Sequence, residues 1–213
     1  MRKTEKVRHI RTVFDRIYPD VQCTLNYETP LQMLIATQLS AQCTDARVNI
    51  VTEALFKRYK TAEDFAQADI LELQGYIRSA GFYKNKSKNI IACCRRLVDV
   101  YGGQVPDTME DLLTLPGTGR KTANLVLGDI FKKPAIVVDT HCIRLSNRIG
   151  LVSEKDPVKI EFALKKIVPE DYQLRFCHHL VHHGRMVCNA RNPQCGQCEI
   201  QEYCNKTGIK GGK

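Results

Sequence analysis

The 213-residue sequence has no apolar run long enough for a secretory signal or a membrane span. It has no internal repeat, low-complexity segment or long linker either, which excludes solenoids and beads-on-a-string arrangements. Strict apolar–polar alternation is also missing. The most strand-like stretch, AIVV at 135–138, is too short to build a sheet. Acidic residues are in deficit, 23 against 32 Lys plus Arg, and the resulting +9 charge favours a polyanionic partner such as nucleic acid. Disulfides are not expected despite ten cysteines, because no secretory signal accompanies them. What is there in quantity is apolar residue, 43%, enough for one large or two small cores.

The apolar residues fall at helical spacing. Val7, Ile10, Val13, Phe14 and Ile17 share one face of an N-terminal helix that Pro19 stops. Thr29-Pro30 reads as cap and first position of a helix carrying Leu31, Leu34, Ile35 and Leu39, and Val48, Val51 and Leu55 mark the next. Thr61 with Asp64 forms a capping-box pattern. A stripe from Ile90 to Tyr101 closes at Gly102-Gly103. Asp156-Pro157 opens a further helix that Pro169 ends, and the polar tail KTGIKGGK is expected to fray.

Cys188, Cys195, Cys198 and Cys204 lie within 17 residues as C-x6-C-x2-C-x5-C, while the other six cysteines are scattered and expected to be mostly small buried hydrophobes. Gly, Pro and Asn in CNARNPQCGQCEIQEYC let one loop wind about a point, which makes this a metal site by spacing. Structural zinc usually shows two short C-x2-C hooks. Only the middle pair is that close here, so the spacing leaves zinc and an iron–sulfur cluster near parity.

In DLLTLPGTGRKTANLVLGDIF, a helix from about Met109 to Leu115 meets a Pro-Gly-Thr-Gly turn, and a second helix begins near Gly119. Gly117 and Gly119 permit positive φ and leave no side chain over the turn. Backbone N–H groups at the second helix's start then point outward and suit a phosphate. Such a helix-hairpin-helix grips the DNA backbone without reading bases. Arg120 and Lys121 sit where the helix dipole disfavours cations. Both neighbours therefore favour the neutral amine of Lys121, which is a nucleophile able to form a Schiff base. Eighteen residues on, Asp139 in VVDTHCIRLSNRIG can cap a helix and present a carboxylate.

LSAQCTD at 39–45, LPGTGRKTA, VDTHCIR and the four-cysteine loop, in this order along the chain, resemble the endonuclease III family of DNA glycosylases and abasic-site lyases. The resemblance implies an all-α helix-hairpin-helix glycosylase fold of two domains. A six-helix barrel spans residues 22–133, with the hairpin at about 109–131, and a second domain joins 1–21 to 134–213 with the cluster loop at 188–204. It implies a [4Fe-4S] cluster on Cys188, Cys195, Cys198 and Cys204, with zinc as the demoted alternative. Lys121 resembles the family's Schiff-base nucleophile and Asp139 its catalytic carboxylate. Gln42 matches the residue that enters the gap left by the flipped nucleotide, and Phe82 holds a wedge position where leucine is usual. Gly117, Gly119, Arg120, His141, Arg144 and Arg191 are further expected DNA contacts. Cys43 and Cys142 replace small or apolar residues at similar volume, and an exposed Cys43 would be oxidant-sensitive.

The implied function is bifunctional base excision repair: removal of oxidised pyrimidines from double-stranded DNA, then nicking 3′ to the abasic site by β-elimination. The partner is duplex DNA with damaged bases or abasic sites, no membrane is involved, and the protein is expected to act as a cytoplasmic, nucleoid-associated monomer. Two alternatives compete: a monofunctional mismatch or uracil-type glycosylase, and a non-catalytic DNA-binding module. Lysine at 121 favours the bifunctional reading, since the adenine-mismatch relatives usually carry serine there.

Two other features are weighed as ordinary structure first. HHLVHHG pairs His178 with His182 and His179 with His183 at i, i+4, but no third ligand is evident, so packing or phosphate-facing roles are expected. The run from Lys84 to Arg96 holds five basic and no acidic residues and reads as a solvated helix face, with DNA contact the minority reading.

Overall fold

The computed structural model describes residues 1–209; the end of the KTGIKGGK tail, residues 210–213, lies outside them. Among the described residues there are eleven α-helices, four short 3₁₀ turns and no strand. The helices are α1 (Lys3–Ile17), α2 (Pro30–Leu39), α3 (Asp45–Arg58), α4 (Ala62–Ala66), α5 (Ile70–Ile77), α6 (Tyr83–Tyr101), α7 (Met109–Leu113), α8 (Arg120–Asp129), α9 (Thr140–Ile149), α10 (Pro157–Lys165) and α11 (Gln173–Met186). They form two compact units. One is Thr24–Lys133, and the other joins Met1–Cys23 to the chain from Pro134 onward.

Local chemistry explains most of the helix starts. The Thr29 hydroxyl accepts from Gln32 N at 3.2 Å with Pro30 in the first turn of α2. Thr61 and Asp64 exchange both bonds of a capping box at α4, and Asp156 accepts from Lys159 N at 2.9 Å ahead of Pro157. Asp69 caps α5 by accepting from Leu71 N and Glu72 N. At the other end of α6, Gly102 takes φ 58° and Gly103 N donates to Leu97 O at 2.9 Å, closing the helix as its glycine pair suggests.

In the unit of residues 24–133, α6 packs against α2, α4 and α5, while α8 packs against α2 and α7. Leu34, Leu39, Leu55, Leu73, Ile90, Leu97 and Val126 are fully buried in its core. Each stabilises the fold by about 1.5–3 kcal/mol relative to exposure. The helix α8 is unusual in being buried along Thr122–Asp129 without interruption, Asn124 and Asp129 included, so only its first two residues approach solvent.

In the other unit α9 packs on α11, and Phe14 of α1 lies 5.3 Å and 5.1 Å, ring to ring, from His179 and His183 of α11. His179 Nδ1 meets the Tyr172 hydroxyl at 2.8 Å and its Nε2 meets Tyr18 O at 3.1 Å. The buried members of the histidine quartet are thus core residues. His182 is exposed and stacks edge-on against Tyr18, with ring centres 4.5 Å apart.

Candidate functional site

The hairpin is built from the end of α7 to the start of α8. The first helix ends at Leu113 rather than Leu115, because Thr114 turns the chain: its hydroxyl donates back to Asp111 O at 2.7 Å. Leu115 stays buried as an apolar plug beneath the turn, and Thr118 N donates to its carbonyl at 3.0 Å. Gln38 of α2 fastens the turn from below, its Nε2 reaching Pro116 O and the Thr118 hydroxyl, each at 3.2 Å.

The two glycines differ. Gly117 has φ 76°, and a Cβ there would meet Asn89 Cβ at 3.0 Å and Gln38 Oε1 at 3.1 Å, so both conformation and space demand glycine. Gly119 has an ordinary extended φ of −99°, and a Cβ there would meet nothing within 4 Å. Nothing inside the protein requires glycine at 119. As the N-cap of α8 it offers no side-chain acceptor, so the first-turn N–H groups of α8 keep no helical partner and face whatever approaches the turn. Lys121 is exposed and Arg120 half-buried at this same end, ahead of the buried body of the helix.

Gln42 and Phe82 belong to the same unit, and both depart from ordinary backbone geometry. Gln42 has φ 53° and Phe82 φ 48°, two of four non-glycine residues with positive φ among those described. Such conformations persist only where the surroundings impose them. Both side chains are exposed, Phe82 by 62%.

The basic run that follows Phe82 is less solvated than its composition suggests. Lys86 is buried, Arg95 Nε donates to Ala66 O at 3.1 Å, and Arg96 Nε donates to the Thr114 hydroxyl at 2.9 Å beside the hairpin. Three of the five cations of Lys84–Arg96 therefore serve the fold.

In the unit containing both termini, Asp139 is the N-cap of α9. Its Oδ1 accepts from Cys142 N at 2.7 Å, and the residue is half-buried, so the capping role and an accessible carboxylate coexist. His141 and Arg144 lie side by side, Nδ1 to Nη2, at 3.1 Å. Arg144 directs its guanidinium to Cys188 O and Gly184 O, at 3.1 to 3.2 Å, so the residue expected at DNA anchors the entry to the cysteine loop. Gly184 makes this possible: a Cβ there would strike His141 Nδ1 at 2.6 Å and Arg144 Nη2 at 2.9 Å. Sequence reasoning missed Gly184, although a lone glycine inside a helical run is the signal for close approach. Arg148 adds bonds to Asn189 O at 2.7 Å and Ala190 O at 2.9 Å, while Arg191 is exposed on the loop.

The four clustered cysteines are half-buried, free of disulfides, and all line one pocket. The rest of its wall is largely apolar, with Leu145, Ile149 and Ile200 contributing. No three described His, Cys, Asp or Glu side chains are grouped tightly enough for a single metal ion. Four thiols around one mainly apolar pocket are a donor set that fits a cysteine-held iron–sulfur cluster. Donors already reach two of the sulfurs, Arg148 Nη1 to Cys188 Sγ at 3.4 Å and Lys206 N to Cys204 Sγ at 3.3 Å, and His183 Nε2 lies 3.4 Å from Cys198 Sγ. Burial pushes the metal-free Cys198 thiol up to about 11, so cofactor binding must displace a firmly held proton. Burial also holds His183 neutral, at about 4, and a single tautomer then serves both the Tyr18 hydroxyl at 3.0 Å and Cys198.

A family model described as HhH-GPD superfamily base excision DNA repair protein matches residues 35–170, and one for the iron-sulfur binding domain of endonuclease III matches 188–204. The chain is 48% identical over 203 residues to an endonuclease III of Synechocystis, covering 95% of this chain and 93% of that one. It is 42% identical to an endonuclease III of Bacillus subtilis over 205 residues, covering 94% and 93%. Among solved structures, a non-covalent endonuclease III–DNA complex and a trapped endonuclease III–DNA covalent intermediate each superpose with TM-score 0.91 at 40% identity, over 97% of both chains. A thermostable thymine-DNA glycosylase shares the fold at TM-score 0.85 and 23% identity. With matches running through hairpin, capped aspartate and cysteine loop alike, the chain belongs to the endonuclease III family, with its all-α helix-hairpin-helix fold and its [4Fe-4S] cofactor.

Proposed function

We propose that Lys121 and Asp139 carry the DNA glycosylase and abasic-site lyase chemistry of this chain in base excision repair. The substrate is double-stranded DNA holding an oxidised or saturated pyrimidine, or an abasic site. The observation that carries the reading is the exposed Lys121 amine on the first turn of α8, beside a turn whose Gly119 leaves backbone N–H groups open to a phosphate.

The hairpin amides hold the backbone, Gln42 enters the gap left by the extruded nucleotide, and Phe82 wedges into the opposite strand. Extrusion costs a few kcal/mol, less for a base that has lost planarity. The Lys121 amine attacks C1′ as the glycosidic bond breaks, its electron pair leaving with the base. Asp139 offsets the positive charge that develops on the sugar. The attacking nitrogen then loses a proton and the C1′–O4′ ring bond opens, O4′ taking up a proton, and the iminium so formed acidifies the C2′ proton. Loss of that proton forms the C2′–C3′ double bond and expels the 3′ phosphate, which nicks the strand on the 3′ side.

Cys188, Cys195, Cys198 and Cys204 are the ligands we assign to the cluster, which shapes the loop and is given no step in the reaction. Gly117, Arg120, His141 and Arg191 complete the DNA surface, with Arg144 supporting it through the loop entry. The protein works as a cytoplasmic, nucleoid-associated monomer. No described helix is long and apolar enough to cross a membrane.

Borohydride trapping on an abasic duplex tests the assignment. The parent should form a covalent adduct and Lys121→Gln should bind the same DNA without one. Undiminished trapping by Lys121→Gln moves the Schiff base to another amine, and base release without nicking by the parent selects the monofunctional alternative.

A further inference from the structure

Lys86 sits on the first turns of α6 with its side chain buried, 7% exposed. Its Nζ donates to Leu39 O at 2.8 Å and to Ala80 O at 2.9 Å. Leu39 is the last residue of α2, three before Gln42. Ala80 closes the 3₁₀ turn Arg78–Ala80, two before Phe82. The Lys86 backbone N–H also donates to Phe82 O, at 3.0 Å.

Two helical C-termini thus aim their carbonyls at one ammonium, which explains how a lysine is held in the interior by carbonyls instead of a carboxylate. Gln42 and Phe82 both hold exposed side chains on left-handed backbone. An exposed side chain contributes little packing, so the order of these segments has to come from their backbone, and Lys86 grips the chain just ahead of each.

We infer that Lys86 is a positioning residue that fixes the Gln42 and Phe82 segments in one frame, so that both side chains enter the duplex at a set separation and extrude the nucleotide together. Two segments that moved separately would each have to be ordered on the DNA, at a cost in extrusion rather than in chemistry. The inference rests on the reading of Gln42 and Phe82 as duplex-entering residues.

The test uses the cluster-loaded protein and a thymine-glycol duplex with 2-aminopurine next to the lesion, whose fluorescence rises as the stack opens. Lys86→Met should slow both that rise and single-turnover excision by about tenfold or more, the scale of losing one well-placed hydrogen bond to a charged group. Lys86→Arg should recover most of the loss. Nicking of single-stranded abasic DNA, where no stack has to be opened, should keep the parent rate in each variant. In a Gln42→Ala/Phe82→Ala background, Lys86→Met should cost under about twofold, because coupled residues are not additive. Should Lys86→Met fail to fold by circular dichroism, Lys86→Gln, with a donor on a shorter stem, takes its place in the same series. An unchanged rise in the variant, or the same cost in both backgrounds, overturns the role of Lys86. A parent that nicks single-stranded abasic DNA but gives no rise overturns the duplex-entry reading, and the role of Lys86 with it.

Discussion

Lys6 Nζ donates to Asn205 Oδ1 at 2.7 Å, joining the N-terminal helix to the residue that follows the last cluster cysteine. The same ammonium donates to Ile149 O at 2.9 Å, an acceptor it shares with Asn205 N at 3.2 Å. Lys6→Met should leave Asn205 Oδ1 unmatched and Ile149 O with Asn205 N alone, and lower stability by about 1–3 kcal/mol. We expect a lower melting temperature together with faster bleaching of the visible cluster absorbance. A variant that melts earlier but holds its iron as long as the parent would separate α1 from loop integrity.

Asp139→Asn probes a residue with two jobs. Asn caps about as well as Asp, so the bond to Cys142 N should survive and the melting temperature should stay near the parent's. Excision of a damaged base should fall by roughly two or more orders of magnitude, the usual scale for one preorganised charge-stabilising group. Nicking of a preformed abasic site skips base departure and should fall less. Equal losses in both assays with a lower melting temperature would reduce Asp139 to a structural cap.

The two hairpin glycines should fail differently. Gly117→Ala places a Cβ 3.0 Å from Asn89 Cβ at φ 76°, so a loss of roughly 1–3 kcal/mol in denaturant titrations is expected. Gly119→Ala meets open space on ordinary backbone and should fold as well as the parent. It should nonetheless weaken duplex affinity, because the methyl group occupies the approach to the α8 amides. Parental affinity in Gly119→Ala would mean that no phosphate comes close there.

Burial lowers His179 to about 4 from the ordinary 6.5. The unfolded chain then binds a proton between about pH 6.5 and 4 that the folded chain refuses. The contribution of His179 is therefore fully present above 6.5 and is lost as pH falls toward 4. Between pH 7 and pH 5 this amounts to about 2 kcal/mol, and His179→Gln should remove that part of the pH dependence in urea titrations. An equal pH dependence in both proteins would assign it to other groups.

The fold was legible wherever it is decided locally. Thr29-Pro30, the Thr61–Asp64 box and Asp156-Pro157 each start a helix as read, since a cap needs only a few neighbouring residues. The hairpin was legible because its glycine and proline spacing is itself the turn. The hidden parts depend on what lies across the fold. The α5 helix, with its Asp69 cap, offered only a short apolar stretch that sequence reading passed over. The inward use of Lys86, Arg95 and Arg96 could not be read from the Lys84–Arg96 run, because long cationic side chains suit solvent and carbonyl cages equally well. Left-handed backbone at Gln42 and Phe82 carries no residue-type signature, since neither is Gly, Asn or Asp.

The burial of α8 from Thr122 to Asp129 has a consequence for how this enzyme can change. A rod walled in on every side cannot slide or tilt without breaking its neighbours, so Lys121 inherits the rigidity of the core behind it and its position is costly to retune. The exposed Phe82 touches no such wall. On the proposed reading of Phe82 as a wedge, drift in which lesions are accepted is therefore cheapest at that exposed side chain.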